Sequence, residues 1–262
     1  MSAETRMAHM TQMEVGAAIE AGKLVILPTG ATEAHGPHMP TDTDSHQAEY
    51  IAVEMARRLD AVVAPVIPYG ISKTFENFPG TLSLSVPVYQ ELVYEVASAL
   101  VKMGFRNLLI LNGNRPNGTS NDAVARRLQD DLDEEFDFMV TAVSYWEPGA
   151  EAVHALRTSP VGGMGHAGEF ETSFQLATRP ELVHMERLEG VHAPLVAWDL
   201  VAPMVPVRTY ARRPRPQKGH AAIFGYPFDA DGERGKAFID AVVDAMVALM
   251  QNVSPSYEER KP

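Results

Sequence analysis

KLVILPTGATEAHGPHMPTDTD, Lys23 to Asp44, is the stretch on which the fold class turns. Its opening residues, Lys23 to Pro28, are apolar almost throughout, the pattern of a strand buried on both faces. Gly30, Gly36, Pro37 and Pro40 then punctuate a polar loop. A helix opens at Asp44 or Ser45, with Ala48, Ile51, Ala52, Met55 and Leu59 recurring at the helical period. Buried strand, loop and amphipathic helix together make one repeat of a parallel-sheet protein.

Working outward, the same alternation continues. Thr11 caps a short helix that ends near Gly22. AVVAPVIPYG, Ala61 to Gly70, reads as a second strand. A helix after Pro87 carries Leu92, Val93, Val96, Leu100 and Met103 on one face. NLLILN, Asn107 to Asn112, is a third strand, followed by a helix with Ala123, Val124, Leu128 and Leu132. FDFMVTAVSYW, Phe136 to Trp146, is a fourth strand. Further helices are expected from about Ala167 to Ala177, short of Pro180, and from Glu233 to Met250. The pattern predicts an α/β fold with a mostly parallel sheet covered on both faces. Such sheets bind ligands beyond the carboxyl ends of their strands, which points to Thr29–Thr43 and Gly113–Thr119. With no internal repeat and no low-complexity linker, residues 1–262 read as a single domain.

Composition narrows the chemistry. The chain has 262 residues and no cysteine, which excludes disulfides, thiolate nucleophiles and zinc–thiolate sites. A net charge of −12 argues against nucleic acid or an anionic membrane as partner. No apolar run reaches the roughly 18–20 residues of a membrane span, and the N-terminus lacks the apolar stretch of a signal peptide. A cytoplasmic location is the resulting expectation. The basic segment RTYARRPRPQKGH, Arg208 to His220, reads as an extended loop. It is read either as a solvated loop facing acidic surface of its own chain or a neighbouring subunit, or as a guide for an anionic substrate.

Two constellations hold the reactive residues. In the first, Glu33 and His35 are separated by one residue, so in extended geometry they point to one side. Asp44 returns at the start of the next helix. A Glu-x-His pair with a distant Asp offers mixed oxygen and nitrogen donors, suited to Zn²⁺, Mn²⁺ or Fe²⁺, and a shared carboxylate can bridge two ions. Asp44 is read equally as a helix cap. The second constellation is GHAGEFETS, Gly165 to Ser173. Spaced by three, His166 and Glu169 share a helix face in this reading, whereas Glu171 points elsewhere. Glu169 is then a further ligand and His166 a proton carrier; alternatively, the glutamates only complement the helix dipole.

These stretches resemble a known family. Leu27 to Asp44 is similar to the signature LPxGSTExHGPHLPxxTD of creatininases, with Ala31 and Met39 as departures. PVIPYGISKTFENFPGTLSL, Pro65 to Leu84, resembles that family's second block, GHAGEFETS its third, and GYPFDADGERGK, Gly225 to Lys236, its last. The resemblance implies a three-layer α/β/α sandwich, a metal-dependent hydrolase with one or two Zn or Mn ions, Fe being a further option, and a homo-oligomer such as a hexamer. It implies Glu33, His35, Asp44 and Glu169 as metal ligands, with Asp44 as the bridge. It puts His166 at the catalytic histidine and Glu171 at an acidic position of the same block.

One departure bears on substrate. Where the family usually reads Asn-Gly-His and that His binds metal, this chain reads LNGNRPNG, with Asn114 followed by Arg115 and Pro116. An amide oxygen is a weaker ligand than imidazole and shifts preference toward harder ions. Asn114 and Arg115 are therefore read as substrate contacts, Arg115 offering a planar fork to an anionic oxygen or else a surface ion pair. The segment PVGGMGH also lacks an aromatic residue to stack on creatinine. The expected reaction is hydrolysis of a cyclic amide or related C–N bond in a small polar molecule other than creatinine. The alternatives are a C–C or ester bond in an oxidised cyclitol or lactone, and a non-catalytic binding protein.

Overall fold

The computed structural model describes residues 4–193, 195 and 221–253. The basic segment from Arg208 to His220 lies outside the described residues. Thr11 caps α1 (Gln12–Glu20) through a reciprocal box, its side chain accepting from the Glu14 N–H while the Glu14 carboxylate takes the Thr11 N–H at 2.7 Å. Four strands follow, β1 (Leu24–Thr29), β2 (Val62–Val63), β3 (Asn107–Asn112) and β4 (Met139–Ser144), in the order β2-β1-β3-β4. All pairings are parallel, with Thr29 opposite Asn112 and Asn112 opposite Ser144 at the carboxyl edge.

Side-chain alternation along these strands builds two cores. Val25, Leu27, Leu108 and Ile110 face one layer, made by α1, α3 (Val86–Met103) and α4 (Gly118–Leu132). Ile26, Leu109 and Leu111 face the other, made by α2 (Thr43–Leu59), α5 (Ala150–Leu156), α6 (Glu169–Thr178) and α7 (Gly232–Val253). Burial on both faces explains the apolar runs of β1 and β3 and gives the expected α/β/α sandwich. Among the described residues no helix is long and apolar enough to cross a membrane.

Two expectations are corrected, and one helix is added. The second strand shrinks to Val62–Val63 because Pro65 and Pro68 have no N–H to give the ladder. The segment still follows β1 through Ala64 N–H to Ile26 O at 2.8 Å and Ile67 N–H to Pro28 O at 3.0 Å. Helix α5 was not legible, being seven residues long with only Ala150 and Val153 buried. The helix expected from about Ala167 begins at Glu169, because Ala167 takes a left-handed φ of 54° and Gly168 is extended.

Two glycines seat α2 on the carboxyl edge of the sheet. A Cβ on Gly30 would lie 2.5 Å from Ser45 Cα, and one on Gly113 would lie 2.5 Å from the Asp44 carbonyl oxygen. Only a residue without Cβ permits this approach, and it puts Asp44 directly beside the ends of β1 and β3. Gly113→Ala is expected to cost about 2 kcal/mol and lower Tm by about 4–8 °C, because the obstacle is backbone. Gly16→Ala, with nothing within 4 Å of the added methyl and a place inside α1, is expected to raise stability by about 0.5–1 kcal/mol. Thermal melts of both variants read the contrast.

Candidate metal centre

Beyond β1 the loop is folded back by the Glu33 N–H bonding to Thr41 O at 2.9 Å, with Gly36 at a φ of 69°. This presents Glu33 and His35 toward the first turn of α2, where Asp44 sits. All three are buried. His35 Nδ1 lies 3.1 Å from the Glu33 carbonyl oxygen, which fixes the N–H on that nitrogen and leaves Nε2 as a lone pair. Nε2 is 3.1 Å from Asp44 Oδ1 and 3.7 Å from Glu171 Oε2. Despite the short contact Nε2 makes no hydrogen bond, and Asp44 Oδ2 and Glu33 Oε2 are likewise buried without partners. Donor atoms crowded together and not bonded to each other are the arrangement of ligands around a cation. Two ligands about 2.1 Å from a tetrahedral ion lie about 3.4 Å apart.

A second group adjoins the first. His166 Nε2 lies 2.9 Å from Ala34 O, and its Nδ1 is 3.3 Å from Glu33 Oε1. The His166 ring is held between Phe75, stacked at a centroid distance of 4.0 Å, and His35 at 4.1 Å. Glu33, His35 and His166 each offer a ligand atom within 4.8 Å of the others, and His35, Asp44 and Glu171 do the same.

Electrostatics supports a cation. Burial, reinforced by Asp44 and opposed by His35, pushes the Glu33 carboxyl up to about 8. Burial does the same to Glu171, where His35 opposes and Asp44 adds, again to about 8. Burial also raises Asp44 well above the usual carboxylate range. Three carboxylates that resist ionising together carry more negative charge than two imidazoles can answer, and a divalent ion removes that penalty. The mixed oxygen and nitrogen donors fit Zn²⁺ or Mn²⁺.

Glu169 stands apart from both groups. Its carboxylate accepts from Thr158 Oγ1 at 2.8 Å, the Ser159 N–H at 2.8 Å and Arg234 Nη1 at 3.2 Å. Burial works to raise its carboxyl, but hydrogen bonds from Ser159 and Thr158 prevail and hold it below the ordinary value. Glu171, not Glu169, lies in the described group with His35 and Asp44. The reason is the start of α6: with Glu169 as first helical residue, Glu171 lies about 200° round the axis. It turns to the cluster, where Oε2 also accepts the Ala167 N–H at 2.6 Å. His166, in the loop before α6, shares no helix face with Glu169.

Asn114 is buried at the end of β3, where its Nδ2 donates to Ile71 O at 3.3 Å and Asn117 Oδ1 at 3.2 Å. Arg115 is half-buried and opens a short 3-10 turn, Arg115–Asn117. Two contributions escaped the sequence reading. His38 is fully buried with Nε2 3.0 Å from Thr172 Oγ1, tying the loop to α6, and burial with the nearby His35 lowers its pKa to about 3. Phe75, Phe78 and Phe224 form an aromatic wall beside His166. Their sequence signal is the Phe75–Phe78 pair.

For metal-free protein, the raised carboxyls set a sign for stability against pH. Above about pH 4.5 the unfolded chain gives up protons that folded Glu33 and Glu171 keep until about pH 8. Their protonated forms stabilise the fold at low pH, and that contribution is lost as pH rises through this window. Glu169, whose carboxyl is lowered, acts on the acid side of it. His38, lowered to about 3, opposes this below about pH 6.5. The Tm of chelator-treated protein is therefore expected to fall most clearly between about pH 6.5 and 8, by calorimetric scans in buffers that bind no metal.

Comparison with known proteins identifies the family. The family model Creatininase, described as creatinine amidohydrolase, matches residues 8–250. The creatinine amidohydrolase of Pseudomonas putida is 32% identical over 227 residues, 80% of this chain and 86% of that protein. The mycofactocin precursor peptide peptidase of Mycobacterium ulcerans (strain Agy99) is 27% identical over 245 residues, 88% of this chain and 86% of that protein. The 3-dehydro-scyllo-inosose hydrolase of Thermotoga maritima is 28% identical over 184 residues, 68% of this chain and 57% of that protein. A solved creatinine amidohydrolase aligns with TM-score 0.82 at 25% identity, covering 96% of this chain and 98% of that one. A Zn-Zn type creatininase variant gives 0.80 at 26%, covering 96% and 98%. A Mn creatininase gives 0.79 at 25%, covering 95% and 98%. With a family match running from residue 8 to residue 250, the chain belongs to the creatininase family.

Proposed function

We propose that this protein is a metal-dependent hydrolase acting on an amide-type C–N bond of a small polar substrate other than creatinine. The observation that carries the reading is the buried trio His35, Asp44 and Glu171, with Asp44 Oδ2 and His35 Nε2 lacking hydrogen-bond partners. These three residues would hold the ion. When bound, a divalent ion activates water near neutral pH and polarises a carbonyl.

The chain's own groups do the rest. His35 is oriented by the Glu33 carbonyl, the usual way a backbone acceptor fixes a ligand imidazole. Glu171 is fixed by the Ala167 N–H. The Glu33–His166 pair, facing across 3.3 Å, can hold one proton between carboxylate and imidazole and is the proton-handling element of the site. Asn114 and Arg115 are the proposed substrate contacts at the end of β3, with Arg115 meeting an anionic oxygen. The homo-oligomer implied by the family resemblance is part of the same proposal.

A peptide-type amide is the second reading. It is favoured by the aromatic wall, where Phe78 and Phe224 are half-buried beside Phe75 and offer contact to an apolar group next to the scissile bond. The similarity to a mycofactocin precursor peptide peptidase is in keeping with it.

Two measurements test the proposal. Protein purified without added metal is expected to retain Zn or Mn by elemental analysis, and chelation should abolish hydrolysis until either ion is returned. A metal-free preparation that is fully active on cyclic amides or short peptides would sink it. Glu171→Gln is expected to weaken metal binding by about 100-fold or more, since even outer-shell losses reach that size. Glu169→Gln should leave metal affinity within about threefold but lower stability by about 2 kcal/mol through its lost bonds to Thr158, Ser159 and Arg234. Calorimetric titration and thermal melts separate the two carboxylates.

A further inference from the structure

A carboxamide has two ends, and in Asn114 the fold has already used one of them. Its Nδ2 donates to Ile71 O at 3.3 Å and to Asn117 Oδ1 at 3.2 Å. Which end is nitrogen follows from backbone groups that cannot change role. Asn117 Oδ1 accepts from the Ile71 N–H at 2.9 Å, and Asn117 Nδ2 donates to Gly30 O at 2.9 Å. Those two bonds fix the Asn117 amide. Turned round, Asn114 would set its oxygen against two acceptors, the Ile71 carbonyl and Asn117 Oδ1.

Both N–H groups of Asn114 Nδ2 are therefore committed within the protein, and the lone pairs of Oδ1 are what remains. Among the described residues no donor reaches this oxygen. Unlike Glu33 Oε2, His35 Nε2 and Asp44 Oδ2, it is not sealed from solvent. Its neighbours belong to the candidate site. Gly113, just before it, packs where an added Cβ would meet the Asp44 carbonyl oxygen at 2.5 Å. Ser72, next to its partner Ile71, sits beside the Glu33 carboxyl. A rigid acceptor at the edge of a cluster of carboxyls and imidazole lone pairs has to find its donor in substrate.

We infer that Asn114 Oδ1 is a specificity-determining acceptor for the N–H of the amide being cleaved, so that the substrate is an amide with hydrogen on its scissile nitrogen. This rests on the amide-hydrolysis reading above. An ester, a lactone or a tertiary amide has no such hydrogen and would leave Oδ1 unanswered. A site that bonds a substrate N–H rejects analogues lacking it more strongly than an apolar pocket rejects a change of size. The bond also strengthens along the reaction. As the C–N bond breaks, the hydroxyl of water joins the carbonyl carbon and its proton joins the nitrogen, which keeps its own hydrogen. A nitrogen gaining positive charge donates more strongly than a neutral amide, so the contact favours the transition state.

The test uses the full chain loaded with Zn²⁺ or Mn²⁺ and a panel of cyclic amides and dipeptides. Each is made with N–H and with N-methyl at the scissile amide. Wild type is expected to prefer the N–H member by at least about 100-fold in kcat/KM. Asn114→Leu, similar in bulk but without an acceptor, should narrow that ratio by at least about tenfold through loss on the N–H member alone. Independently of turnover, NMR of wild type should show the Asn114 side-chain N–H protons exchanging with solvent more slowly than those of exposed asparagines. Equal turnover of N–H and N-methyl members, a loss in Asn114→Leu shared by both, or freely exchanging Asn114 protons would each overturn the inference and leave amide hydrolysis standing. A loaded wild type that cleaves no amide of the panel would overturn the amide reading as well.

Discussion

Burying Glu33, Asp44 and Glu171 within reach of one another is the constraint that the rest of the molecule has to meet. Each carboxylate loses its hydration, and Asp44 adds to the resistance of Glu33 and Glu171 to ionisation. Nothing in the surrounding apolar cores compensates for that charge. The two imidazoles turn their N–H groups to the carbonyls of Glu33 and Ala34, so the cluster lowers its charge by keeping carboxyl protons. Their lone pairs face inward. A divalent cation at the centre of the cluster would let the carboxylates ionise there.

Such a cluster could not form on a loose framework. β1 and β3 are covered on both faces, so their ends are fixed relative to each other, with Thr29 opposite Asn112. Gly30 and Gly113 then allow the first turn of α2 to press against those ends at backbone distance. Gln47, one turn beyond Asp44, donates to the Glu171 carbonyl at 3.1 Å and accepts from the Tyr145 hydroxyl at 2.7 Å. This joins α2 to α6 through a buried amide, so the helices carrying Asp44 and Glu171 move as one. Small backbone contacts and one side-chain bridge thus fix donor positions that a metal site needs to within a few tenths of an ångström.

Much of this was legible because the signals were dense. Asn107–Asn112 matches its strand end for end, since an apolar run buried on both faces has few other readings. Glu33, His35 and Asp44 were found together because a short loop between a buried strand and a helix leaves them little room to diverge. What the pattern missed depends on details smaller than a period. Pro65 and Pro68 shorten β2 without changing its path. That Glu171 lies with His35 and Asp44 while Glu169 turns to Thr158 and Ser159 depends on how the chain enters α6. That in turn is set by the left-handed Ala167, a residue type that does not advertise such a conformation. The backbone there is held by the Glu171 carboxylate itself, a contact between local and tertiary structure that no sequence window contains.

Asn114 shows how the same framework bears a changed donor set. Its amide is taken up in a buried network, donating to Ile71 O and to Asn117, whose own amide accepts from the Ile71 N–H and donates to Gly30 O. The side chain thereby ties together the loops that follow β1, β2 and β3, and its contribution to the site is rigidity where an imidazole would contribute charge affinity. A nitrogen donor lost from one strand end can be supplied by another element only if that element already points there. The loop before α6 brings His166 beside the cluster, where it bridges Phe224 on one side and is stacked on Phe75 on the other. The position of an imidazole in the sequence is therefore a weaker constraint on this chemistry than the direction of its lone pair. That direction is set by which backbone carbonyl takes its proton.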